Sequence, residues 1–98
     1  MKPICLVLGA GAGIGGTVAK KFAKEGFHSC LCRRSDQKGL DQLVSDIEQE
    51  GGSATGYLIN AIEDNVLEEL ILKIEQDIGP IEVLVYNLGA QTGMKLLN

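Results

Sequence analysis

The chain has 98 residues, of which 45% are hydrophobic and 22% are charged, and its formal net charge is −4. This length allows one domain with a modest core, and this composition excludes a disordered chain. Eleven of the thirteen acidic residues follow Lys38, which argues against nucleic-acid binding. Apolar stretches are too short for a membrane span, and glycines interrupt the N-terminus before a signal-peptide core forms, so we expect a soluble, cytoplasmic protein.

A short apolar strand, a glycine-rich turn and an amphipathic helix open the chain. Residues 4–8 are apolar without interruption, which is typical of a strand buried on both faces. Apolar residues such as Val18 and Phe22 then recur at helical spacing until Gly26. Glycines let a backbone approach a pyrophosphate closely, and a helix N-terminus offers free N–H groups. The pattern therefore predicts a nucleotide cofactor, with a tight packing turn as the alternative.

The spacing of the glycines separates three kinds of phosphate loop. Gly11 and Gly16 have the separation of a P-loop, but Thr17 follows where that loop needs a lysine. A GxGxxG motif fits only at Gly11, Gly13 and Gly16, which would leave the two residues before it inside the strand. A GxxxGxG motif at Gly9, Gly13 and Gly15 begins where the apolar strand stops, and we favour it.

The rest of the chain alternates between apolar strands and amphipathic helices. The predicted elements are a strand at 29–32, a helix from about Asp36 to Glu50, a strand at 54–59, a helix around 66–74 ended by Gly79-Pro80, and a strand at 81–86. Uniformly apolar strands alternating with helices indicate a parallel sheet covered on both faces. Right-handed crossovers then predict an α/β, Rossmann-like doubly wound sheet, of which this chain forms part, with strand order 3-2-1-4.

The cysteines and the single histidine suggest no metal site. Cys5, Cys30 and Cys32 fall in predicted buried strands without a neighbouring cluster of ligands, so we expect them to fill the core. His28 falls in the predicted turn before the second strand, where we expect a surface residue rather than a ligand.

Two motifs resemble the short-chain dehydrogenase/reductase family. Residues 8–15, LGAGAGIG, are similar to the TGxxxGxG turn of that family, with Leu8 at the usual threonine. Residues 81–89, IEVLVYNLG, are similar to its fourth-strand signature, which usually ends in NNAG. Asn87 and Gly89 match that ending, whereas Tyr86 and Leu88 depart from it. The two motifs have the family's separation, and the resemblance covers the N-terminal, cofactor-binding portion of a typical member.

The resemblance implies a set of residues around a bound dinucleotide. The pyrophosphate would be bordered by Gly9, Gly11, Gly13, Ile14 and Gly15. Asn87 and Gly89 would support the adenosine side, and Asn60, followed by Ala61, stands where the family often has an aspartate facing the adenine. An asparagine can both donate and accept hydrogen bonds there. The alternative for Asn60 is a plain turn residue.

The residues after the second strand predict which dinucleotide binds. An acid about 20 residues past the glycines would bind both hydroxyls of an NAD ribose. This sequence has Arg33 and Arg34 there, and a guanidinium can pair with a 2′-phosphate. NADP(H) is therefore favoured over NAD(H), with Arg34 the better match to the family. The alternative is that the arginines end the strand in solvent.

Catalytic residues of the family have no counterpart in this sequence. The family transfers hydride between NAD(P) and a carbonyl or alcohol, and moves protons with a YxxxK pair and an upstream serine. The fourth residue after Tyr57 is Ala61, that after Tyr86 is Ala90, and no serine follows Ser53. We expect both tyrosines to pack in the core, and we assign no catalytic residue. The chain is interpreted as a portion truncated before the catalytic segment; a non-catalytic dinucleotide-binding module and an inactive remnant are the alternatives.

The end of the chain carries two further expectations. Residues 94–97 read as a loop or as the start of another helix. The far edge of the fourth strand would then be bare, which predicts marginal stability and self-association through that edge.

Overall fold

The structure of the chain is a computed structural model, which describes residues 2–10, 14–60, 63, 65–88 and 91–96. Strands and helices alternate along the chain as far as the fourth strand. In chain order the elements are β1 (Ile4–Leu8), α1 (Ile14–Lys24), β2 (His28–Arg33), α2 (Gln37–Gln49), β3 (Ser53–Leu58), α3 (Val66–Asp77), β4 (Ile81–Leu88) and β5 (Gln91–Leu96).

The strands form one five-stranded sheet in the order β3-β2-β1-β4-β5. β1 lies in the centre and runs parallel to both β2 and β4, and β3 runs parallel to β2. The predicted α/β fold and the order 3-2-1-4 are therefore confirmed. Because the chain leaves β1 toward β2 on one side and returns to β4 on the other, the strand order reverses beside β1, and ligands of such sheets bind at that reversal.

Strand β5 corrects both expectations for the end of the chain. β5 runs antiparallel to β4, with Tyr86 opposite Gly93 and Val83 opposite Leu96. Residues 94–96 are therefore in a strand rather than a loop or helix, and the edge of β4 is paired rather than bare. The segment 91–96, QTGMKL, lacks the continuous apolar run of β1, so its pairing with β4 decides its conformation. Self-association was expected because the edge of β4 would be unpaired. That reason no longer holds, and self-association stays a prediction.

The core lies on both faces of the sheet. Helices α1 and α2 cover one face, whose buried residues include Val7, Ala19, Leu31, Leu40, Ile47 and Val85. Helix α3 covers the other, whose buried residues include Ile4, Leu6, Leu8, Leu70, Ile74 and Ile81. In the part of the chain that the structure describes, no helix is long and apolar enough to cross a membrane.

The three cysteines are free and buried, as predicted for core residues. Burial raises the pKa of Cys5 and of Cys30 to about 12 and that of Cys32 to about 11, so the reactive thiolate is disfavoured at neutral pH. Over the described ranges, no three histidine, cysteine or acidic residues are grouped so as to hold a metal ion.

The amino-terminal edge of the sheet carries a polar group that we call the amino-edge cluster: Lys2, just before β1, His28 on β2, and Ser53 and Thr55 on β3. His28 Nδ1 is hydrogen-bonded to Ser53 Oγ and His28 Nε2 to Thr55 Oγ1, each at 2.9 Å, and Lys2 Nζ donates to Ser53 Oγ at 3.2 Å. The prediction of His28 as a surface turn residue is therefore wrong. It is the first residue of β2 and half-buried, because both of its ring nitrogens find hydroxyl partners on the neighbouring strand.

Candidate functional site

The turn after β1 is tied to the end of β2. Gly9 has φ 80°, a left-handed conformation that glycine adopts without steric cost. The N–H groups of Gly9 and Ala10 both donate to the Cys32 carbonyl, at 2.8 and 3.0 Å. These two amides are thus already used within the protein, and an anion near the turn would have to be met by amides further along the chain.

Helix α1 begins directly against this turn. A Cβ atom added at Gly15 would collide with the Gly9 carbonyl oxygen and would lie 3.2 Å from Ala10 Cα. Only a residue without a side chain therefore lets the start of α1 approach the end of β1 this closely. The first turn of a helix carries N–H groups without helical partners and the positive end of the helix dipole. The arrangement is suited to an anionic group held against backbone.

The predicted phosphate residues divide between described and undescribed positions. Gly9 and Gly15 meet at the turn, and Ile14 is the first residue of α1. Gly11 and Gly13 lie outside the described residues.

The two arginines at the end of β2 differ in their surroundings. Arg33 is the last residue of the strand, and only 18% of its side chain is exposed, whereas Arg34 is exposed. Arg33 Nη2 donates to Asp36 Oδ2 at 3.2 Å. Among the ion pairs of the described residues, Arg33 takes part in one and Arg34 in none.

Asp36 joins the Arg33 side chain to the start of α2. It is the N-cap of that helix, with φ 70°, and its Oδ1 accepts a hydrogen bond from the Gly39 N–H at 3.1 Å. A Cβ atom at Gly39 would meet both the Asp36 carboxylate and the Arg33 guanidinium, so the missing side chain makes room for the pair. From the sequence, Asp36 was predicted only as the start of a helix. An acid three residues after an arginine and just before a helical pattern is the signal that could have indicated the contact.

A groove continues from these residues between α1 and α2. Its volume is about 280 Å³, and Gly16, Lys20, Arg33 and Asp36 contribute to its lining. Lys20 Nζ lies 3.8 Å from an oxygen of Asp46, so both basic side chains of the groove stand beside a carboxylate.

The remaining predicted residues follow β3 and β4. The Ile59 N–H donates to the Arg33 carbonyl at 2.8 Å, which holds the chain just before Asn60 beside the end of β2. Asn60 is half-buried, and its Nδ2 donates to Glu63 Oε1 at 3.4 Å. Asn87 follows Tyr86, the β4 residue that pairs with Leu8. Ala61 and Gly89 lie outside the described residues.

The fold therefore brings the described candidates to one edge of the sheet. Gly9, Arg33, Asn60 and Asn87 each lie at or just beyond the carboxyl end of one of the four parallel strands. This edge is where open α/β sheets bind their ligands, beside the strand at which the order reverses.

The two tyrosines lie on strands, as predicted, but only one is largely packed. Tyr57, on β3, packs against the core face under α3, and burial is the main cause that raises its pKa to about 12. Tyr86 is 36% exposed, so the prediction that it packs in the core is wrong. Its side chain is on the face of β4 opposite Val83 and Val85, and the residues that α3 buries belong mainly to β1 and β2.

A comparison with protein families decides the relationship. Residues 3–98 match the family model of short chain dehydrogenases. The chain belongs to the short-chain dehydrogenase family. The resemblance of the glycine turn and the fourth strand is thereby confirmed, and the family consists of oxidoreductases that bind a nicotinamide dinucleotide.

Individual members of the short-chain dehydrogenase family are similar over most of this chain. It is 33% identical over 86 residues to 2-dehydro-3-deoxy-D-gluconate 5-dehydrogenase of Formosa agariphila, which covers 88% of this chain and 33% of that protein. A short-chain dehydrogenase/reductase from Burkholderia xenovorans has a TM-score of 0.83 at 31% identity, covering 90% of this chain and 36% of that one. An actinorhodin polyketide ketoreductase solved with NADPH has a TM-score of 0.81 at 31% identity, covering 90% and 33%. The chain spans about a third of the length of these proteins.

Proposed function

We propose that this chain is the NADP(H)-binding portion of a short-chain oxidoreductase that transfers hydride between NADP(H) and a carbonyl or alcohol. The observation that carries the proposal is the approach of Gly15 to Gly9 directly beside the arginines that end β2. A backbone cradle for a diphosphate then lies next to guanidinium groups that suit a further phosphate.

The residues present fit a dinucleotide. In this proposal the backbone from Gly9 to Gly15 borders the pyrophosphate, because a side chain at Gly15 would fill the space that brings α1 close to the turn. In the same proposal Asn60, just beyond β3, contacts the adenine, and Asn87, on β4, supports the adenosine side. When bound, the cofactor supplies the hydride acceptor or donor of the reaction.

The end of β2 supports NADP(H) over NAD(H). The first residues after the strand carry the exposed Arg34 where a carboxylate would bind the hydroxyls of an NAD ribose. Arg34 is the first partner of the 2′-phosphate in this proposal, since its guanidinium is exposed, and Arg33 is the second. The ketoreductase solved with NADPH, at 31% identity, is consistent with this preference.

The proposal assigns no catalytic residue to this chain and places the protein in the cytoplasm. No residue of this chain is proposed as catalytic, because neither tyrosine is followed by a lysine at the fourth position. The three free thiols favour a reducing compartment, and we propose the cytoplasm. Fractionation of cells producing the protein would test that location.

Substitution of Arg34 tests the cofactor preference. Arg34→Ala removes a charge-assisted contact of about 1.5–3 kcal/mol, so we expect NADPH to bind about 10- to 100-fold more weakly, whereas NADH changes little. Titration of cofactor fluorescence on the folded protein measures both. Lys38→Ala removes an exposed cation from α2 and is the matched control. If Arg34→Ala weakened the binding of NADPH and of NADH equally, Arg34 would not be a partner of the 2′-phosphate. A folded wild-type chain that binds neither cofactor would overturn the proposed function.

A further inference from the structure

Arg33 is held in an ion pair at the edge where the proposed 2′-phosphate binds. Its Nη2 lies 3.2 Å from Asp36 Oδ2, and the Asp36 side chain is 55% exposed. A phosphate that bound the Arg33 guanidinium would share that group with the Asp36 carboxylate. Like charges on one group repel each other.

We propose that Asp36 is a specificity-determining residue that weakens the binding of a 2′-phosphorylated dinucleotide. The inference rests on the proposed function. Asp36 accepts a hydrogen bond from Arg33 Nη2 and adds a negative charge beside the proposed phosphate, so the protein discriminates less strongly between NADP(H) and NAD(H) than its two arginines alone would.

The local structure is built around the ion pair. Gly39 is the third residue of helix α2, in the first turn after the Asp36 cap. The atoms nearest to a Cβ at that position belong to Asp36 and Arg33. The missing side chain thus lets the carboxylate cap the helix and contact the guanidinium at the same time. A cap without charge would serve α2 equally well, so an effect of the carboxylate on ligands can be tested separately from its effect on the helix.

Asp36→Asn separates those two effects. Asparagine is as good an N-cap as aspartate and also tolerates the left-handed backbone of this position, with φ 70°. The variant therefore keeps the helix start and removes only the charge. We expect NADPH to bind about five- to tenfold more tightly, whereas NADH changes less than about twofold.

Asp41→Asn is the matched control. Asp41 lies on the same helix, its Oδ1 accepts a hydrogen bond from Gln37 Nε2 at 2.8 Å, and its substitution changes the net charge equally. We expect no change in the ratio of NADPH to NADH affinity. The gain from Asp36→Asn should also shrink as salt is raised to about 1 M, where the screening length is about 3 Å, which a purely structural effect would not do.

The outcomes distinguish this inference from the proposed function. Equal effects of Asp36→Asn and Asp41→Asn, or weaker NADPH binding in Asp36→Asn, would overturn the role of Asp36 while the wild-type chain still bound NADPH. Weaker NADPH binding in Asp36→Asn would instead indicate that Asp36 positions Arg33 for the phosphate. Absence of dinucleotide binding by all folded variants would instead overturn the proposed function itself.

Discussion

The two ends of strands β2 and β3 use polar residues in opposite ways. At the amino ends, His28 and the hydroxyls of Ser53 and Thr55 bind one another. At the carboxyl ends, Arg34 is exposed, and Arg33 is only partly neutralised by an exposed carboxylate. The first group is closed and stabilises the pairing of the strands, whereas the second keeps charge available to an anion.

The comparison shows why titratable residues alone do not locate a site in this fold. His28 is the only histidine and belongs to a three-residue hydrogen-bonded chain with Ser53 and Thr55, yet its partners satisfy both ring nitrogens. The carboxyl edge combines a close backbone turn with basic groups. Polar residues that retain unmet charge are the better guide to ligands.

The largest expected effect is at the glycine turn. Gly15→Ala would push the new methyl group into the Gly9 carbonyl, and such overpacking typically costs about 1–3 kcal/mol. We expect lower stability and loss of dinucleotide binding together, measured by denaturant unfolding and cofactor titration.

Gly26→Ala is the control for that substitution. Gly26 has φ 94° and nothing within 4 Å of an added Cβ, so its substitution strains the backbone by about 1 kcal/mol without crowding the turn. It should lower stability and leave cofactor affinity unchanged. Normal cofactor binding in a folded Gly15→Ala protein would contradict the cradle.

A smaller effect is expected at the amino-edge cluster. Thr55→Val keeps the shape of the side chain and removes the hydroxyl that bonds His28 Nε2, so unfolding should require about 1 kcal/mol less free energy. Cofactor affinity should not change, because the cluster lies at the opposite edge of the sheet. Ser45→Ala, at an exposed 3.5 Å hydrogen bond on α2, should change stability by less than about 0.5 kcal/mol. An altered Kd for NADPH in Thr55→Val would contradict the inference that the amino-edge cluster stabilises the sheet without affecting cofactor binding.

The smallest effect is a pH dependence of stability. Burial, and then the positive charge of Lys2, lowers the pKa of His28 below 6.5 in the folded protein. The unfolded chain therefore takes up a proton that the folded chain resists, so the His28 contribution is complete above pH 6.5 and is lost as the pH falls below it. Unfolding at about pH 7.5 and about pH 5.5 should show this loss in the wild type and less of it in His28→Gln. Equal pH dependence in both proteins would exclude His28 as the cause.

The sequence predicts the fold well where apolar periodicity is strong. Continuous apolar runs mark the strands around Leu6, Leu31 and Val85, and the order of the strands follows from the handedness of the crossovers. Strand β5 was missed because its sequence is mixed and its conformation depends on a partner. The exposure of Tyr86 was missed for a related reason. Tertiary packing decides which part of the sheet a helix covers, and the sequence of β4 alone does not show it.

The candidate site was predictable only as positions along the chain. The glycine motif and the arginines could be read directly, because phosphate chemistry limits the residue types that serve it. The spacing of Arg33 and Asp36 can indicate their contact, but its geometry and the room provided by Gly39 depend on the left-handed backbone at Asp36 and on side-chain directions. The use of the Gly9 and Ala10 amides by the Cys32 carbonyl likewise appears only in three dimensions.

The central position of β1 also has a kinetic consequence. Its two neighbours come from very different distances along the chain, because Ile4 pairs with His28 on one side and with Ile81 on the other. Closing a loop that long costs entropy before any contact compensates for it, so folding should be slow compared with that of helical domains. On the ribosome, the first strand would wait until β4, which begins at Ile81, had emerged before this second partner could join it.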